Sequence, residues 1–331
     1  MRRKLIPLLV IMILSAGAAF ALAFAIEWLP EQASVQGKRI DQVIWLTVVI
    51  CVVVFAIVAA ASVYAVVKFR AKPGDEEDGP PLHGHTGLEI TWTAIPTALV
   101  TLIAVWSGIV VVQNDRLPEG SRVILVEARQ FAWGFEYPEL GGIRTGELFL
   151  PVNQPVELRM TSPDVIHAFW VPEWRQKQDV VPGITTFYRI TPTKEGIFPI
   201  VCTELCGLGH SVMRNQVNVM SEEAFEGWLA EQRAGVDAGG TDLGLRVFAN
   251  QGCAGCHALA EAGASGAGGP DLDSVLPGQS AEQIRESIMT PDATISEGFS
   301  SGFMPSYSQL PDEQVEALVG FLLGAAGGSS G

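Results

Sequence analysis

Cys202, Cys206, His210 and Met213 stand close together in the run Cys202-Thr-Glu-Leu-Cys206-Gly-Leu-Gly-His210-Ser-Val-Met213. Two thiols, an imidazole and a thioether are soft donors, the kind that suit copper. Cysteines separated by three residues in one turn aim both sulfurs into the same space, and a further ligand must come from elsewhere. His167, in Asp164-Val-Ile-His167-Ala-Phe-Trp170, is the unassigned histidine of this region. The alternative reading of the loop is a small disulfide with packing His and Met residues. The coincidence of His167 with two upstream apolar spans weighs against it. Downstream, Cys253-Ala-Gly-Cys256-His257 has the spacing that attaches a c-type haem. Two thiols add to the vinyl groups and the adjacent histidine supplies a proximal iron ligand. Zinc is the competing reading, but the domain lacks a second Cys/His pair. Two redox centres on one chain imply electron transfer.

The elements that carry these motifs are legible in composition. Hydrophobic residues make up 48% of 331 residues and the mean hydropathy is +0.29, too apolar for an ordinary soluble protein. Residues 1–114 hold equal numbers of basic and acidic side chains, so the whole net charge of −15 lies beyond them. That excludes nucleic acid as a partner, which needs clustered Lys and Arg; a cationic redox partner and simple solvation explain the acidity equally well. Arg2-Arg-Lys4, the apolar run Leu5–Leu22 and Ala23-Phe-Ala25 read as a signal peptide over residues 1–25, with an uncleaved membrane helix as the alternative. Two uncharged stretches, about 42–67 and 90–114, are each long enough to span a membrane, within a hairpin over 26–114. Lys68, Arg70 and Lys72 place the loop between them in the cytoplasm, and Asp75-Glu-Glu-Asp78 does not overturn this. The domains after the hairpin then lie on the extracytoplasmic side of a bacterial plasma membrane. Trp45 and Trp92 suit either interfacial anchoring or a contact within the membrane.

After Asp115 short β-rich runs with Pro and Gly punctuation argue for a β-sandwich or barrel over 115–233: Val123–Val126, Val156–Met160, Thr185–Ile190, Gly196–Val201 and a strand-like Val165–Ile166. Ser221-Glu-Glu-Ala224 opens a closing helix. Residues 234–240 read as a linker, 241–325 as a helical domain, and 326–331 as a flexible tail. His83 and His85 read as solvated.

The order Asp-Val-x-His, then Cys-x3-Cys-x3-His-x2-Met, behind a two-helix membrane hairpin, resembles subunit II of cytochrome c oxidase over roughly residues 40–232. The resemblance implies a cupredoxin-like Greek-key β-barrel binding a dinuclear copper centre, CuA. By it, Cys202 and Cys206 bridge the coppers, His167 and His210 each terminate one, Met213 is a weak axial ligand, and the Glu204 backbone carbonyl is another ligand. It further implies magnesium at the Glu204 side chain, at the boundary with subunit I, and a proton-uptake role for Glu89 in Glu89-Ile-Thr-Trp92. A solvent-facing Glu204 and an end-of-span Glu89 are the plainer readings. Gln130-Phe131-Ala-Trp133-Gly-Phe-Glu-Tyr137 matches the aromatic stretch that covers the copper site, except that Phe131 stands where many members place a tryptophan receiving electrons from soluble cytochrome c. The C-terminal domain resembles an all-α class I cytochrome c. There Gly302-Phe-Met304-Pro305 implies Met304 as the sixth iron ligand, over Met289, whose register fits a buried helix face.

Together these imply an electron-input subunit of a proton-translocating caa-type oxidase, with no oxygen-reducing site on this chain. Its partners are subunit I, other oxidase subunits, and an external donor such as a cytochrome c or cytochrome bc complex. A nitric oxide reductase subunit, separable by which gas the complex consumes, and a copper-binding assembly factor are the rivals. The haem motif argues against the second.

Overall fold

The computed structural model describes residues 2–70, 73–74, 81, 83–138, 143–237, 242–308 and 310–328. Residues 1–31 and 38–113 form one unit, and 32–37 with 114–331 form the other.

The first unit holds α1 (Arg2–Ala25), α2 (Val35–Phe69) and α3 (Thr86–Asn114). Among the described residues these three are long and apolar enough to cross a membrane. Their large apolar side chains stand outward, as with Ile13, Val66 and Val111 at 66–69% exposure. A surface of that kind is stable in lipid, not in water. Phe24 of α1 stacks on Trp45 of α2, with ring centroids 5.0 Å apart. Both α2 and α3 start earlier than their uncharged stretches. Ser34 caps α2, its Oγ accepting from the Gly37 N–H at 2.8 Å. At α3 the His85 Nδ1 accepts from the Leu88 N–H and the Glu89 Oε1 accepts from the His85 N–H, a reciprocal cap. His85 is therefore a capping residue. Lys72 and Asp75–Asp78 lie outside the described residues.

In the second unit, β1 (Arg122–Arg129), β2 (Ala132–Tyr137), β3 (Ile143–Thr145), β4 (Leu148–Pro151), β5 (Val156–Thr161), β6 (His167–Trp170), β7 (Lys177–Val180), β8 (Thr186–Ile190), β9 (Gly196–Cys202) and β10 (Arg214–Met220) build two sheets. Among the described residues their orders are β3-β2-β1-β5-β8 and β4-β10-β9-β6-β7. The β1/β5 and β10/β4 pairs are parallel, the others antiparallel. Alternation drives the packing: Ile124, Val126 and Ala128 on β1 and Trp133 and Phe135 on β2 point into a core shared with Leu148, Leu150, Phe169 and Val217 of the facing sheet. The expected strand at Val165–Ile166 does not form; β6 begins at His167. The Asp164 and Ser162 side chains take the Val165 N–H and C=O, so that backbone is spent on a turn.

Ala33 and Ser34 also sit in this second unit, fully buried. The Ala33 N–H donates to the Glu173 carbonyl, the Thr193 N–H to the Ala33 carbonyl, and the Val35 N–H to the Thr191 carbonyl. The short stretch around Ser34, just before α2, is thus bound into the β domain.

Helix α4 (Glu222–Asp237) follows, capped by Ser221, whose Oγ accepts from the Ala224 N–H. It runs through 234–237, where a linker was expected. Residues 238–240 lie outside the described residues. The last domain contains α5 (Asp242–Asn250), α6 (Cys253–Cys256), α7 (Leu272–Val275), α8 (Ala281–Met289) and α9 (Asp312–Gly328). It is not wholly α: Ala258–Leu259 pairs with Ala264–Ser265 across a turn through Gly263, φ +62°. The tail expected from 326 is helical to Gly328; residues 329–331 lie outside the described residues.

Candidate metal and haem sites

Strand β9 ends on Cys202, β6 begins on His167, and the loop from Thr203 to Met213 leads into β10. The pairing of β6 with β9 sets Phe169 opposite Cys202, and this brings a distant histidine to the cysteine loop. The two sulfurs are 3.9 Å apart. His167 Nδ1 is 4.0 Å from Cys202 Sγ and His210 Nδ1 is 3.5 Å from Cys206 Sγ. Met213 Sδ is 3.7 Å from Cys206 Sγ, and the Glu204 carbonyl oxygen is 3.3 Å from Cys202 Sγ. His167 and Met213 are fully buried and both cysteines nearly so. All six predicted donors therefore converge. The sulfur separation is within twice a metal–thiolate bond of about 2.3 Å, so an ion can touch both. Two thiols, a thioether and two imidazoles are the donor chemistry of a soft metal, and the residues fit copper.

The electrostatics prepare the same chemistry. Burial works against ionising Cys202, but the His167 hydrogen bond and backbone N–H groups bring its thiol down. Burial and then the neighbouring Cys202 push Cys206 up. Two buried thiolates side by side need cationic compensation, which a metal supplies. His167 is oriented by Asp164, whose Oδ1 lies 2.9 Å from Nε2 and so leaves Nδ1 toward the sulfur. Asp164 is itself held by the Gln130 N–H at 2.6 Å, and Gln130 Nε2 donates to the Cys206 carbonyl at 2.6 Å. Sequence reasoning assigned no role to Asp164 or Gln130. The signal was an acid three residues before the histidine.

The haem motif lies at a solvent-open cleft. Cys253, Cys256, His257 and Met304 all line it, with Leu272, Ile284, Ile288 and Tyr307; among the described residues Met289 is not in the lining. His257 Nδ1 is 2.9 Å from the Pro270 carbonyl, which fixes the tautomer and leaves Nε2 as the ligating nitrogen. A Cβ at Gly269 would stand against the His257 ring, so the glycine makes room for it. Burial lowers His257's proton affinity, favouring the neutral ligand, and raises the Cys253 thiol to about 12, with Cys256 adding to the shift. These residues fit a covalently held haem.

Models for three families match in order: the transmembrane domain of cytochrome c oxidase subunit II over residues 21–109, its periplasmic domain over 143–220, and cytochrome c over 241–326. Cytochrome c oxidase subunit 2 of Thermostichus vulcanus is 32% identical over 259 residues, 62% of this chain and 79% of that one. The same subunit of Alkalihalophilus pseudofirmus is 31% identical over 293 residues, 84% of each chain. The chain belongs to the cytochrome c oxidase subunit II family. It is a membrane-anchored subunit of an oxidoreductase complex, and carries a periplasmic β domain and a cytochrome c domain.

Within that family frame the remaining predicted residues fall as follows. Glu204's side chain is exposed on the copper loop beside Leu205, which is 79% exposed. Glu89 is exposed in the first turn of α3. Trp133 is buried edge-on to Phe169 and to the His167 ring. Phe131 is buried, with Gly207 and Gly209 of the copper loop against its ring.

Proposed function

We propose that this chain is the electron-input subunit of a caa-type cytochrome c oxidase, carrying electrons from an external donor to haem c, to CuA, and on toward subunit I. The observation that carries the reading is the convergence of six donor groups at the loop from Cys202 to Met213, with His167, both cysteines and Met213 buried, in the same chain as a cleft lined by Cys253, Cys256, His257 and Met304. Cys202 and Cys206 would hold the copper as thiolates, His167 and His210 through Nδ1, Met213 through its thioether and Glu204 through its carbonyl. Haem c would be held by thioether bonds to Cys253 and Cys256, with His257 and Met304 on the iron. When bound, these groups supply one-electron oxidation and reduction.

The protein's own part is to bury and orient. Strand β9 delivers a thiol into a dry core. Asp164 and Pro270 each take one histidine N–H, so that the opposite ring nitrogen is the ligand. Burial of Met213 and His167 excludes water that would compete for the metal.

The reading extends to a cleaved segment 1–25, a two-span hairpin over 26–114, a Greek-key cupredoxin over 115–233 and a haem domain from 241 onward. Both redox domains then lie outside the bacterial plasma membrane. Glu204's carboxylate would hold magnesium against subunit I, and Glu89 would serve proton uptake. The test is the copper and iron content and the optical and EPR spectra of the purified full chain, matured with haem and reconstituted with copper. Two coppers per iron with a mixed-valence signal and a low-spin haem are expected. One isolated copper, or none beside an intact haem, would overturn the copper assignment.

A further inference from the structure

Two residues of the β domain, Phe131 and Ala132, line the haem cleft together with the haem-attachment residues. They are not incidental neighbours. The stretch from Ala249 to Gly255, which runs out of α5 into the cysteine-bearing α6, lies along β2, the β3–β4 turn and the end of the copper loop. A Cβ at Gly146 would overlap the Ala249 carbonyl, and one at Gly252 would overlap the Ala132 Cβ. Real Cβ atoms do not reach such separations, so both positions seat the two domains at backbone contact. Gly252 also has φ +76°, a conformation that favours glycine in its own right. Arg129 Nη1 donates across the same seam to Gln251 Oε1 at 2.9 Å, and the Gln251 carbonyl accepts from the buried Tyr307 hydroxyl at 3.0 Å on the cleft wall. The Phe131 ring, seated on Gly207 and Gly209, faces Phe303 of the haem domain with centroids 6.5 Å apart.

From this we propose that the haem cleft is a two-domain site, one wall of which is supplied by Phe131 and Ala132 of the copper domain, so that the haem domain works docked and not swinging on its tether. The inference rests on the proposed function for the identity of the two centres, but the seam itself is independent of it. Net charge does not hold it together. Residues 115–233 carry 11 basic and 16 acidic side chains and residues 241–331 carry 2 and 11, so the domains repel. Salt screens that repulsion, so docking should survive high ionic strength, unlike the encounter with a charge-steered soluble donor.

The experiment uses the full chain in detergent, loaded with haem and copper, beside Gly146→Val and Arg129→Gln. Neither side chain touches a proposed ligand. Amide hydrogen exchange is followed in residues 130–134 and 249–252, and the haem-to-copper electron-transfer rate is followed after flash reduction at increasing glycerol. In the native chain both segments should be protected at low and high salt, and the rate should be independent of viscosity. A valine at 146 cannot be accommodated, so the docked fraction should fall about tenfold or more. Exchange should then rise in both segments together and the rate should become viscosity-dependent. Arg129→Gln should move the same way by less. Fast exchange in both segments of the native chain, or a native rate falling in proportion to viscosity, would overturn the proposal, even if Gly146→Val proves too unstable to isolate. Absent copper with a protected seam would overturn the functional reading and support the two-domain wall.

Discussion

Replacing Asp164 by Asn tests whether the copper loop depends on a residue that never touches the metal. The carboxylate takes three donors: the His167 Nε2–H at 2.9 Å and the Gln130 and Val165 N–H groups at 2.6 Å each, while the Ser162 hydroxyl donates to the Val165 carbonyl. Asn keeps the shape but offers one acceptor oxygen and one NH2 group. With its oxygen toward His167, the NH2 meets the Gln130 N–H, and an unmade bond of this kind costs about 1–3 kcal/mol. With the amide reversed, the imidazole loses the partner that holds Nδ1 toward Cys202. Either way the loss reaches the metal, since Gln130 also anchors the Cys206 carbonyl. Losing a second partner of this sort weakens metal affinity roughly 10- to 100-fold. Asp164's side chain is 28% exposed, and solvent can replace part of what is lost, so about tenfold is expected. The assay is chelator competition for copper on the full chain, with haem absorbance as the internal count. Burial raises Asp164's carboxyl but the Gln130 N–H and His167 outweigh it, and the net position is below the usual range. Its contribution is therefore complete above the ordinary carboxylate range and is lost only as pH falls through the lower folded value. The gap between native and Asn protein should stay constant from about pH 5 to 8. Equal affinities within a factor of two, with a native mixed-valence signal, would refute the claim that Asp164 sets the His167 ring.

Met304→Ala should shift the haem spectrum and admit carbon monoxide to the iron, whereas Met289→Ala should do neither; the reverse pattern would move the ligand to Met289. A soluble piece starting at Asp115 lacks residues 32–37 and so loses three backbone hydrogen bonds, the Gln36 Oε1 acceptor of the Thr191 N–H, and the cover of Trp174. At about 1 kcal/mol per bond, set against less chain to order, it should be roughly 3 kcal/mol less stable than a piece with the segment rejoined through a linker. Equal denaturation midpoints would show the segment to be dispensable. Glu204→Gln should leave the copper spectrum intact and reduce manganese substitution in the assembled complex, with unchanged manganese content counting against the magnesium role. Glu89→Ala should slow turnover and proton pumping of the assembled oxidase; unaltered values would leave Glu89 as a helix cap.

The residues that converge on the cysteine loop were legible because soft-metal ligation would constrain residue type and spacing together, and few other pressures put Cys, Cys, His and Met in one loop. The strands at 123–126, 156–160, 185–190 and 196–201 were legible through alternation, and the observed elements contain or closely match them. What escaped the sequence was set by tertiary partners or by local side-chain chemistry. Val165–Ile166 has strand-like residues, yet Asp164 and Ser162 capture its backbone. Ser34 reads as an ordinary polar residue, but it caps α2 and bridges to Pro192, a partner that sequence spacing does not reveal. The helix starts at Val35 and Thr86 were missed because charge marks where lipid ends, while caps mark where helix ends, and here the two differ by several residues.

Phe131 shows how the two kinds of information combine. In sequence it is a departure from the family's tryptophan, which puts a soluble-donor docking site in doubt and points to the haem domain on the same chain. In the fold its ring fills the space left by Gly207 and Gly209 and lines the neighbouring domain's cleft. An aromatic in that place must satisfy a copper loop on one side and a haem domain on the other. A larger indole would have to find room between glycines whose missing Cβ atoms already define the gap. The packing at 131 thus involves both domains of the chain. Phe131→Trp should cost stability at the domain seam through overpacking, by about 1–3 kcal/mol, before it changes anything at the metal. A Trp variant with native seam protection and native stability would show that the gap is wider than the glycines imply, and that the departure at 131 has no steric cause.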